Sequence, residues 1–311
     1  MQSEAIKEAA RRIGFDAAGI APVALLSEEA EHVRRWVREG KHAGMGYMER
    51  NEEVREDVRR LVPGAHSVIV TLTNYYDPCP QPAGVPRIAM YARGRDYHAV
   101  LKERLHALLR EIRQQEPEAE GRCFVDSAPL LEHAWARRAG LGWQGKNTLL
   151  IRKGLGSFCF IGTIITTARF DRYDTPFTAN HCGTCRRCVD ACPTGALQPG
   201  SLDARRCISY QTIENKEDCP DELLRLAGER LFGCDACQTA CPWNARLTPH
   251  RTADFLPQGD NMELTAADWL AMSPEQFRER FRGSPLERAG LPRLQKIIAK
   301  NTRKRLNNLD I

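Results

Sequence analysis

The chain has 311 residues, of which 42% are hydrophobic and 27% are charged, and this is the composition of an ordinary globular protein. Its longest apolar run, residues 158–168, is far shorter than the roughly 20 residues that cross a bilayer, so we expect no membrane span. The net charge of +5 is unevenly distributed, because residues 278–305 carry ten Arg and Lys but only two Glu. Such a basic segment fits a polyanionic partner, and a solvated helix explains it equally well.

The amino-terminal residues mix acidic and basic side chains and lack the apolar stretch of an export signal, so the expected location is cytoplasmic. Cytosolic thiols are kept reduced, so the twelve cysteines are not expected to form disulfides, and the tight spacing of most of them indicates metal binding. Nine of the twelve lie between residues 182 and 241. Cys79, Cys123 and Cys159 lie outside this stretch, and we interpret them as core or incidental residues.

The first 175 residues alternate between helical and strand-like patterns. The patterns predict helices over 3–13, from 27, over 96–112 and over 130–140, and strands over 16–22, 67–76, 122–126, 147–151 and 157–167. We therefore predict a mixed α/β (α+β) protein. Its predicted parts are an α/β domain (1–175), a cysteine-rich domain (176–250) and a basic, mainly helical segment (251–311).

Asp126 of the first domain lies at the end of a predicted strand. Asp126 ends the predicted strand 122–126, ahead of a helix that we expect to begin near Pro129. In α/β sheets this strand end often carries chemistry, and a turn or capping carboxylate is an equally good interpretation.

Two motifs of the first domain resemble cofactor-binding patterns, but neither predicts a site of that kind. The sequence GLGWQG at 140–145 matches G-x-G-x-x-G, but a predicted helix precedes it and a strand follows, so we expect no dinucleotide site. The residues Asp96 and His98 begin the cobalamin pattern D-x-H-x-x-G, in which Leu101 replaces the glycine. We therefore expect His98 to lie on a helix surface and not to bind cobalt.

The cysteine spacing predicts two iron–sulfur clusters. Cys182, Cys185, Cys188 and Cys192 followed by Pro193 have the spacing of bacterial ferredoxins, in which the fourth cysteine binds a different [4Fe–4S] cluster from the first three. A second group, Cys234, Cys237 and Cys241 followed by Pro242, comes later in the chain, with Cys207 between the groups. We assign to cluster 1 Cys182, Cys185, Cys188 and Cys241, and to cluster 2 Cys192, Cys207, Cys234 and Cys237.

Alternatives to this assignment stay open at the level of sequence. Two structural zinc sites would use cysteines too, although zinc usually takes paired CxxC units rather than a triple. Cys219 also competes with Cys207 for cluster 2. The clusters alone select no substrate, so we expect the first domain to hold the site of chemistry.

Five stretches together resemble the epoxyqueuosine reductases: RRLVPGAHSVIV, GRDYHAVL, FVDSAPLLEHAWARRAGLGWQGKNTLLI, CGTCRRCVDACPTGAL and RLFGCDACQTACPWN. That family reduces epoxyqueuosine to queuosine at the wobble position of tRNA, the last step of queuosine biosynthesis, using cob(I)alamin fed by two [4Fe–4S] clusters. The resemblance covers about residues 5–250 and is to a short form without carboxyl-terminal HEAT-like repeats. It implies a nitroreductase-like α/β domain that binds cobalamin, followed by a ferredoxin-like domain.

The resemblance also implies roles for single residues. Asp126 is expected to donate the proton that the reaction needs, which works best with a carboxyl pKa raised toward neutrality. The cobalamin is expected base-off, with no protein ligand under the cobalt. Its expected surroundings are Arg55, Asp126, Trp143, Lys146, Asn147, Leu150, Ile161 and Ser209. The expected tRNA contacts are Ser209, Lys216, Arg293, Lys296 and Lys300.

The expected partners are the anticodon stem-loop of a tRNA and an electron donor of flavodoxin or ferredoxin type, and the expected oligomeric state is a monomer. A cobalamin-dependent reductive dehalogenase is the alternative enzyme, because it combines the same cofactors. The missing export signal and the VDSAP and GKN sequences favour the tRNA enzyme. A plain electron-transfer protein and an RNA-binding module with structural clusters are the alternatives from other functional classes.

Overall fold

The structure is a computed structural model that describes residues 1–307, and the side chains of residues 1–301. The helices are α1 Ser3–Ile13, α2 Ser27–Arg38, α3 Glu52–Glu56, α4 Tyr97–Gln115, α5 Glu132–Arg138, α6 Arg187–Asp190, α7 Ile208–Ile213, α8 Asp221–Ala227, α9 Ala236–Thr239, α10 Ala266–Ala271, α11 Pro274–Arg280 and α12 Leu291–Asn307. The strands are β1 Ala17–Pro22, β2 Ser67–Asn74, β3 Arg87–Ile88, β4 Gly121–Phe124, β5 Trp143–Gln144, β6 Leu150–Ile151, β7 Cys159–Thr166, β8 Leu197–Gln198, β9 Ser201–Leu202 and β10 Arg230–Phe232. The side chains of Arg303, Lys304 and Arg305, which belong to the predicted basic segment, lie outside the described residues.

A four-stranded sheet organises the amino-terminal half, in the order β1-β2-β7-β4. β2 and β7 pair along their whole length, from Ser67 opposite Thr166 to Asn74 opposite Cys159. All three strand pairs are antiparallel. The predicted mixed class is therefore confirmed in its α+β form, since consecutive strands are not joined into parallel βαβ units.

Both faces of this sheet are covered by helices. Successive side chains of a strand point to opposite faces, and the apolar residues of β2 and β7 serve both. On one face Ile69 and Ile164 pack with Leu105 of α4. On the other face Val70 packs with Trp135 of α5. Burial on both faces explains why β2 and β7 are nearly continuous runs of Val, Ile and Thr.

Most predicted elements of the amino-terminal half are confirmed. α1 has the predicted bounds, β1 and β2 lie within the predicted strands, and α4 extends the predicted helix to Gln115. The predicted strand 147–151 is reduced to β6, because a turn closed by the Thr148 amide and the Gly145 carbonyl (2.9 Å) precedes it. β6 instead forms a short hairpin with β5.

A third core connects the cysteine-rich region to the carboxyl-terminal helices. Leu223 and Phe232 pack with Trp269, Phe281 and Leu294. β10 also pairs in parallel with β3, which joins this part to the amino-terminal half. The predicted domain boundaries at 175 and 250 stay predictions. No helix of residues 1–307 combines the length and the apolar character needed to span a bilayer.

Candidate active site

A cavity of about 510 Å³ lies between the start of α4, the start of β7, the cysteine-rich region and the turn before α12. Four predicted site residues line it, namely Asp126, Leu150, Ile161 and Ser209. Cys207, the predicted ligand of cluster 2, lines it too. The fold thus brings the predicted proton donor and a predicted cluster ligand to one cavity.

Asp126 occupies a constrained turn after β4. Its φ of 48° is in the left-handed region, which Asp tolerates better than most residues because its short side chain bonds locally. Its backbone amide donates to Glu132 Oε1 (3.0 Å), and its Oδ2 accepts from the Tyr97 hydroxyl (2.6 Å). The side chain is still 57% exposed, so the carboxylate is held in place and remains accessible.

The expectation that a helix begins near Pro129 is wrong. α5 begins at Glu132, so residues 126–131 form the turn that carries Asp126. Proline does favour the first turn of a helix, but it is also common in turns, and its position alone does not distinguish the two.

His98 lies in the first turn of α4 and is partly exposed, as expected of a helix-surface residue, and it also belongs to the site. It lines the cavity, with Nδ1 2.7 Å from Asp96 Oδ1 and Nε2 3.9 Å from Asp126 Oδ2. Asp96 is also the N-cap of α4, because its carboxylate accepts from the His98 amide (2.9 Å). Tyr97, between them, stacks on Phe160 with ring centroids 4.2 Å apart. The three residues 96–98 therefore start the helix and shape the site, a role that does not need the missing glycine.

Glu132 is a further site residue that the sequence analysis missed. Burial, followed by the nearby Asp126 carboxylate, raises the pKa of Glu132 from 4.5 to about 8. Its neighbour His133 lines the same cavity, and burial lowers its pKa. At neutral pH the cavity therefore holds the protonated carboxyl of Glu132 next to the side chain of Asp126. The only signal in the sequence is that an acidic residue opens a helix after Asp126.

The first predicted set of four cysteines is gathered in the structure. Burial raises the pKa of Cys241, and its neighbours Cys182, Cys188 and Cys185 raise it further. Cys182 also packs in the same side-chain cluster as Cys241. Cys188 also contributes to the raised pKa of Cys237, which makes the two sets neighbours.

The second predicted set is gathered as well. Burial raises the pKa of Cys207, with further contributions from Cys234 and Cys192. Burial, then Cys234 and Cys207, likewise raise the pKa of Cys237. The competing residue, Cys219, is instead buried in the third core, with Sγ 3.6 Å from the Pro220 carbonyl oxygen. The grouping supports Cys207 over Cys219.

Polar groups around these sulfurs fit anionic clusters. Although burial raises the pKa of Cys192, backbone amides such as that of Thr194 lower it overall by donating to the sulfur. The Trp143 Nε1 atom is buried, has no hydrogen-bond partner among the described residues, and belongs to the side-chain cluster of Cys241 and Cys182. Within residues 1–307 no three Cys, His, Asp or Glu side chains converge as on a single metal ion. In a [4Fe–4S] cube each cysteine binds a different iron, so its sulfurs need not converge.

Comparison with known families identifies both parts of the site. A model described as a 4Fe-4S double cluster binding domain matches residues 181–244, so the protein carries two [4Fe–4S] clusters and the zinc alternative is excluded. A model described as epoxyqueuosine reductase QueG matches residues 55–127. An epoxyqueuosine reductase from Leadbetterella byssophila is 42% identical over 302 residues, which span 96% of this chain and 97% of that protein. The chain belongs to the epoxyqueuosine reductase family.

Solved structures of the epoxyqueuosine reductase family agree with the fold described above. A crystal structure of an epoxyqueuosine reductase with an epoxyqueuosine-modified stem loop of tyrosine tRNA matches with a TM-score of 0.87 and 30% identity. A Bacillus subtilis epoxyqueuosine reductase, solved with its aspartate catalytic loop swung out of the active site, matches with a TM-score of 0.87 and 29% identity. Each match covers 96% of this chain and 80% of the other. The family confirms the oxidoreductase prediction and decides against a reductive dehalogenase.

The structure places the other predicted cobalamin neighbours outside the cavity lining. Arg55 is buried, and its guanidinium donates to the carbonyl of Tyr47 (2.8 Å) and to that of Arg50. Burial lowers the pKa of Arg55. Arg55 therefore holds the segment 47–50, which follows the cavity-lining residue Met45.

The GWQGKN loop of the epoxyqueuosine reductase pattern lies against the cluster 1 cysteines. Lys146 Nζ donates to the carbonyls of Gly183 (2.6 Å) and Cys185 (2.9 Å). Trp143 packs edge-on against Trp243, with ring centroids 5.0 Å apart. Asn147 is buried, and its Nδ2 has no hydrogen-bond partner among the described residues. Contacts of Trp143, Lys146 and Asn147 with cobalamin stay a prediction.

Three of the predicted tRNA contacts hold α12 in place. Lys296 and Lys300 both pair with Asp218, and the Arg293 guanidinium donates to the carbonyl of Gln211 (2.8 Å). These cations therefore already have partners within the chain, and their contact with tRNA stays a prediction.

The other two predicted tRNA contacts, Ser209 and Lys216, lie outside α12. Ser209 lines the cavity next to Cys207. Lys216 is exposed and has no ion-pair partner among the described side chains. Contact of Ser209 and Lys216 with tRNA stays a prediction.

The raised pKa of Glu132 predicts a pH-dependent stability for this epoxyqueuosine reductase. Between about pH 4.5 and pH 8 the folded state keeps a proton that the unfolded chain has released, so stability falls as pH rises, by at most about 1.4 kcal/mol per pH unit. Glu132→Gln keeps the acceptor oxygen for the Asp126 amide and removes the titration. We expect the unfolding midpoint of the wild type, measured by circular dichroism, to fall relative to that of the variant over this interval. Parallel curves would contradict the assignment.

Proposed function

We propose that the chain reduces epoxyqueuosine in tRNA to queuosine in this cavity, with Asp126 as the proton donor. The observation that carries the proposal is that one cavity is lined by both Asp126 and the cluster 2 ligand Cys207. In the reaction both carbon–oxygen bonds of the epoxide break and a carbon–carbon double bond forms. Two electrons and two protons are consumed, and the oxygen leaves as water. The aspartate on the catalytic loop of the Bacillus subtilis relative supports the choice of Asp126.

The protein groups around Asp126 prepare it for proton transfer. The Tyr97 hydroxyl, which donates to Oδ2, stabilises the carboxylate that remains after the proton has moved to the epoxide oxygen. Glu132 fixes the backbone of Asp126 through the amide hydrogen bond. His98 Nε2, 3.9 Å from Oδ2, is within reach of restoring the proton through one water molecule.

We propose that the same cavity binds cobalamin. Leu150, Phe160 and Ile161 offer apolar walls for the corrin ring, and Ser284 adds a buried hydroxyl without a partner among the described residues. When bound, reduced cobalamin supplies the low-potential electron pair for epoxide opening, and the protein supplies orientation and protons.

The histidines of the cavity support binding without a protein ligand to cobalt, as in the base-off state. His98 is held by the carboxylates of Asp96 and Asp126. His133 is hydrogen-bonded to the backbone of Thr148. Both rings therefore have other partners.

The proposed substrate is the wobble nucleoside within the anticodon stem-loop. Bases of such a loop are already partly unstacked, so exposing one to the cavity costs less than in a duplex. The proposed electron donor is a carrier of flavodoxin or ferredoxin type. A monomeric state and a cytoplasmic location stay predictions.

Anaerobic turnover tests the proposal. Protein loaded with both clusters and with cobalamin is incubated with epoxyqueuosine-containing tRNA and dithionite, and the tRNA nucleosides are then analysed by mass spectrometry. We expect queuosine to form, and its formation to require cobalamin. Absence of queuosine with fully loaded protein, or equal formation without cobalamin, would contradict the proposal.

A further inference from the structure

A basic surface surrounds cluster 1 on the outside of the protein. Three segments, 144–157, 178–191 and 241–251, meet there and together carry seven Arg and Lys but one acidic residue, Asp190. The segments are joined by the hydrogen bonds of Lys146 to the 183–185 backbone and by a hydrogen bond from the Ser157 amide to Asn244 Oδ1 (2.8 Å). We use the name basic surface for the side chains of Lys146, Lys153, Arg186, Arg187 and Arg246.

The charges of this surface are mostly uncompensated. Arg186 is 56% exposed, and its ion pair with Asp190 is long, at 3.6 Å, so it contributes little. Arg187, Lys153 and Arg246 are exposed and have no ion-pair partner among the described side chains. This contrasts with Lys296 and Lys300 of α12, which pair with Asp218.

The basic surface lies over cluster 1 and not at the active-site cavity. Gly183 and Thr184, between the cluster 1 ligands Cys182 and Cys185, are exposed, so this loop forms part of the outer surface. The described residues that line the cavity include Cys207 of cluster 2 but no ligand of cluster 1. Electrons from outside therefore meet the protein most directly at cluster 1.

We propose that the basic surface docks an acidic one-electron carrier protein, an inference that rests on the proposed function because that function consumes electrons from outside. Opposite charges speed diffusional encounter and orient the partner, without requiring a large apolar contact. In each encounter the carrier loses one electron and cluster 1 gains it. Two encounters supply the electron pair of one epoxide reduction. A tRNA is the other polyanion in this system, but its reacting nucleoside has to reach the cavity beside Asp126.

Charge reversal tests the docking surface in the fully loaded enzyme. The variant carries Arg186→Glu and Arg187→Glu, and the probe is a reduced acidic flavodoxin. We expect the second-order rate of cluster reduction, followed by stopped-flow absorbance, to fall at least tenfold at low salt. Flavodoxin affinity, measured by calorimetry, is expected to fall in parallel. Both differences are expected to shrink at high salt, because mobile ions screen the charges.

A matched control reverses the charge of two arginines that lie outside the basic surface. Arg11 and Arg12 of α1 are adjacent and exposed, and Arg12 makes an equally loose ion pair of 3.6 Å with Glu111. Arg11→Glu with Arg12→Glu is expected to leave the flavodoxin rate within about twofold of wild type, since the net charge change is identical but distant from the clusters. An equal loss in both variants would show a general charge effect and overturn the docking surface.

Further readouts separate the docking surface from the proposed function. In the Arg186 and Arg187 variant, turnover driven by dithionite and the affinity for tRNA are both expected to be unchanged. A loss of tRNA affinity would show that the surface binds tRNA and would overturn the inference. Absence of dithionite-driven turnover in the wild type would instead contradict the proposed function, while flavodoxin binding still tests the surface.

A second variant is used if the first one loses its iron–sulfur cluster. If the first variant retains less iron than wild type, Lys153→Glu with Arg246→Glu is used, because neither residue belongs to the cysteine loop. The same salt-sensitive loss of flavodoxin rate is expected. An unchanged rate in a variant with full iron content would overturn the inference.

Discussion

Replacement of Asp126 by Asn is expected to lower turnover by about 10²- to 10⁴-fold, the usual contribution of a positioned proton donor. Asn keeps the shape of Asp, tolerates the left-handed backbone that φ = 48° requires, and can still accept from the Tyr97 hydroxyl. It has no acidic proton to give to the epoxide oxygen. Anaerobic single-turnover reactions with modified tRNA, followed by nucleoside mass spectrometry, measure the loss.

The controls for this variant separate chemistry from assembly. Iron content is expected to match the wild type, because Asp126 is not among the cysteine ligands. Cobalamin is expected to stay bound, because Asn keeps the shape of Asp in the cavity lining. Tyr97→Phe keeps the carboxyl group and removes one hydrogen bond to Oδ2, so we expect a smaller loss, about tenfold. Unchanged turnover in Asp126→Asn would remove Asp126 from the mechanism.

The parts of this structure that are predictable from sequence are those in which function depends on local spacing. The ferredoxin-type run from Cys182 to Cys192 predicts two clusters, because a cube needs several sulfurs from one short loop. The helices and strands of the amino-terminal half are also predictable, since their apolar residues repeat with the period of an α-helix or of a β-strand.

The cavity is less predictable because it depends on contacts between distant segments. Tyr97, Asp126, Cys207 and Arg288 line the same space, although nearly two hundred residues separate the first from the last. His98 illustrates the difficulty: the local pattern lacks the glycine of a cobalamin motif, and only the turn at Asp126 shows what the imidazole faces. The pKa of Glu132 likewise depends on burial by the fold and not on its neighbours in sequence.

The GWQGKN loop shows a related limit. Its glycines indicate close approach to another group, and the family resemblance implies that this group is cobalamin. The structure shows that Lys146 of this loop donates to two carbonyls of the cysteine loop, and the contact of the loop with cobalamin stays a prediction. Gly142, with φ of 159°, has backbone within 2.2 Å of where a Cβ would lie, so its small size serves packing against Ile151. A glycine-rich pattern therefore predicts closeness without identifying the partner.

Replacement of Cys207 by Ser is expected to remove cluster 2, leaving about four of the about eight iron atoms that two [4Fe–4S] clusters hold. Cys207 is grouped with Cys192, Cys234 and Cys237, and serine is a much poorer ligand for iron. Because Cys207 also lines the cavity, turnover is expected to be lost together with the cluster, even with dithionite as the electron source. Iron analysis and electron paramagnetic resonance of the reduced protein measure the outcome.

Cys219→Ser is the matched control, because Cys219 competes with Cys207 in the spacing but is buried among apolar side chains of the third core. A buried hydroxyl in place of the thiol is expected to cost about 1–3 kcal/mol of stability while the iron content stays at the wild-type level. The opposite pattern, with iron lost from Cys219→Ser and kept in Cys207→Ser, would exchange the two ligands. Cluster 2 would then be held by Cys219, which does not line the cavity. Electrons would then have to pass from cluster 2 to the site beside Asp126 by a path that does not include Cys207.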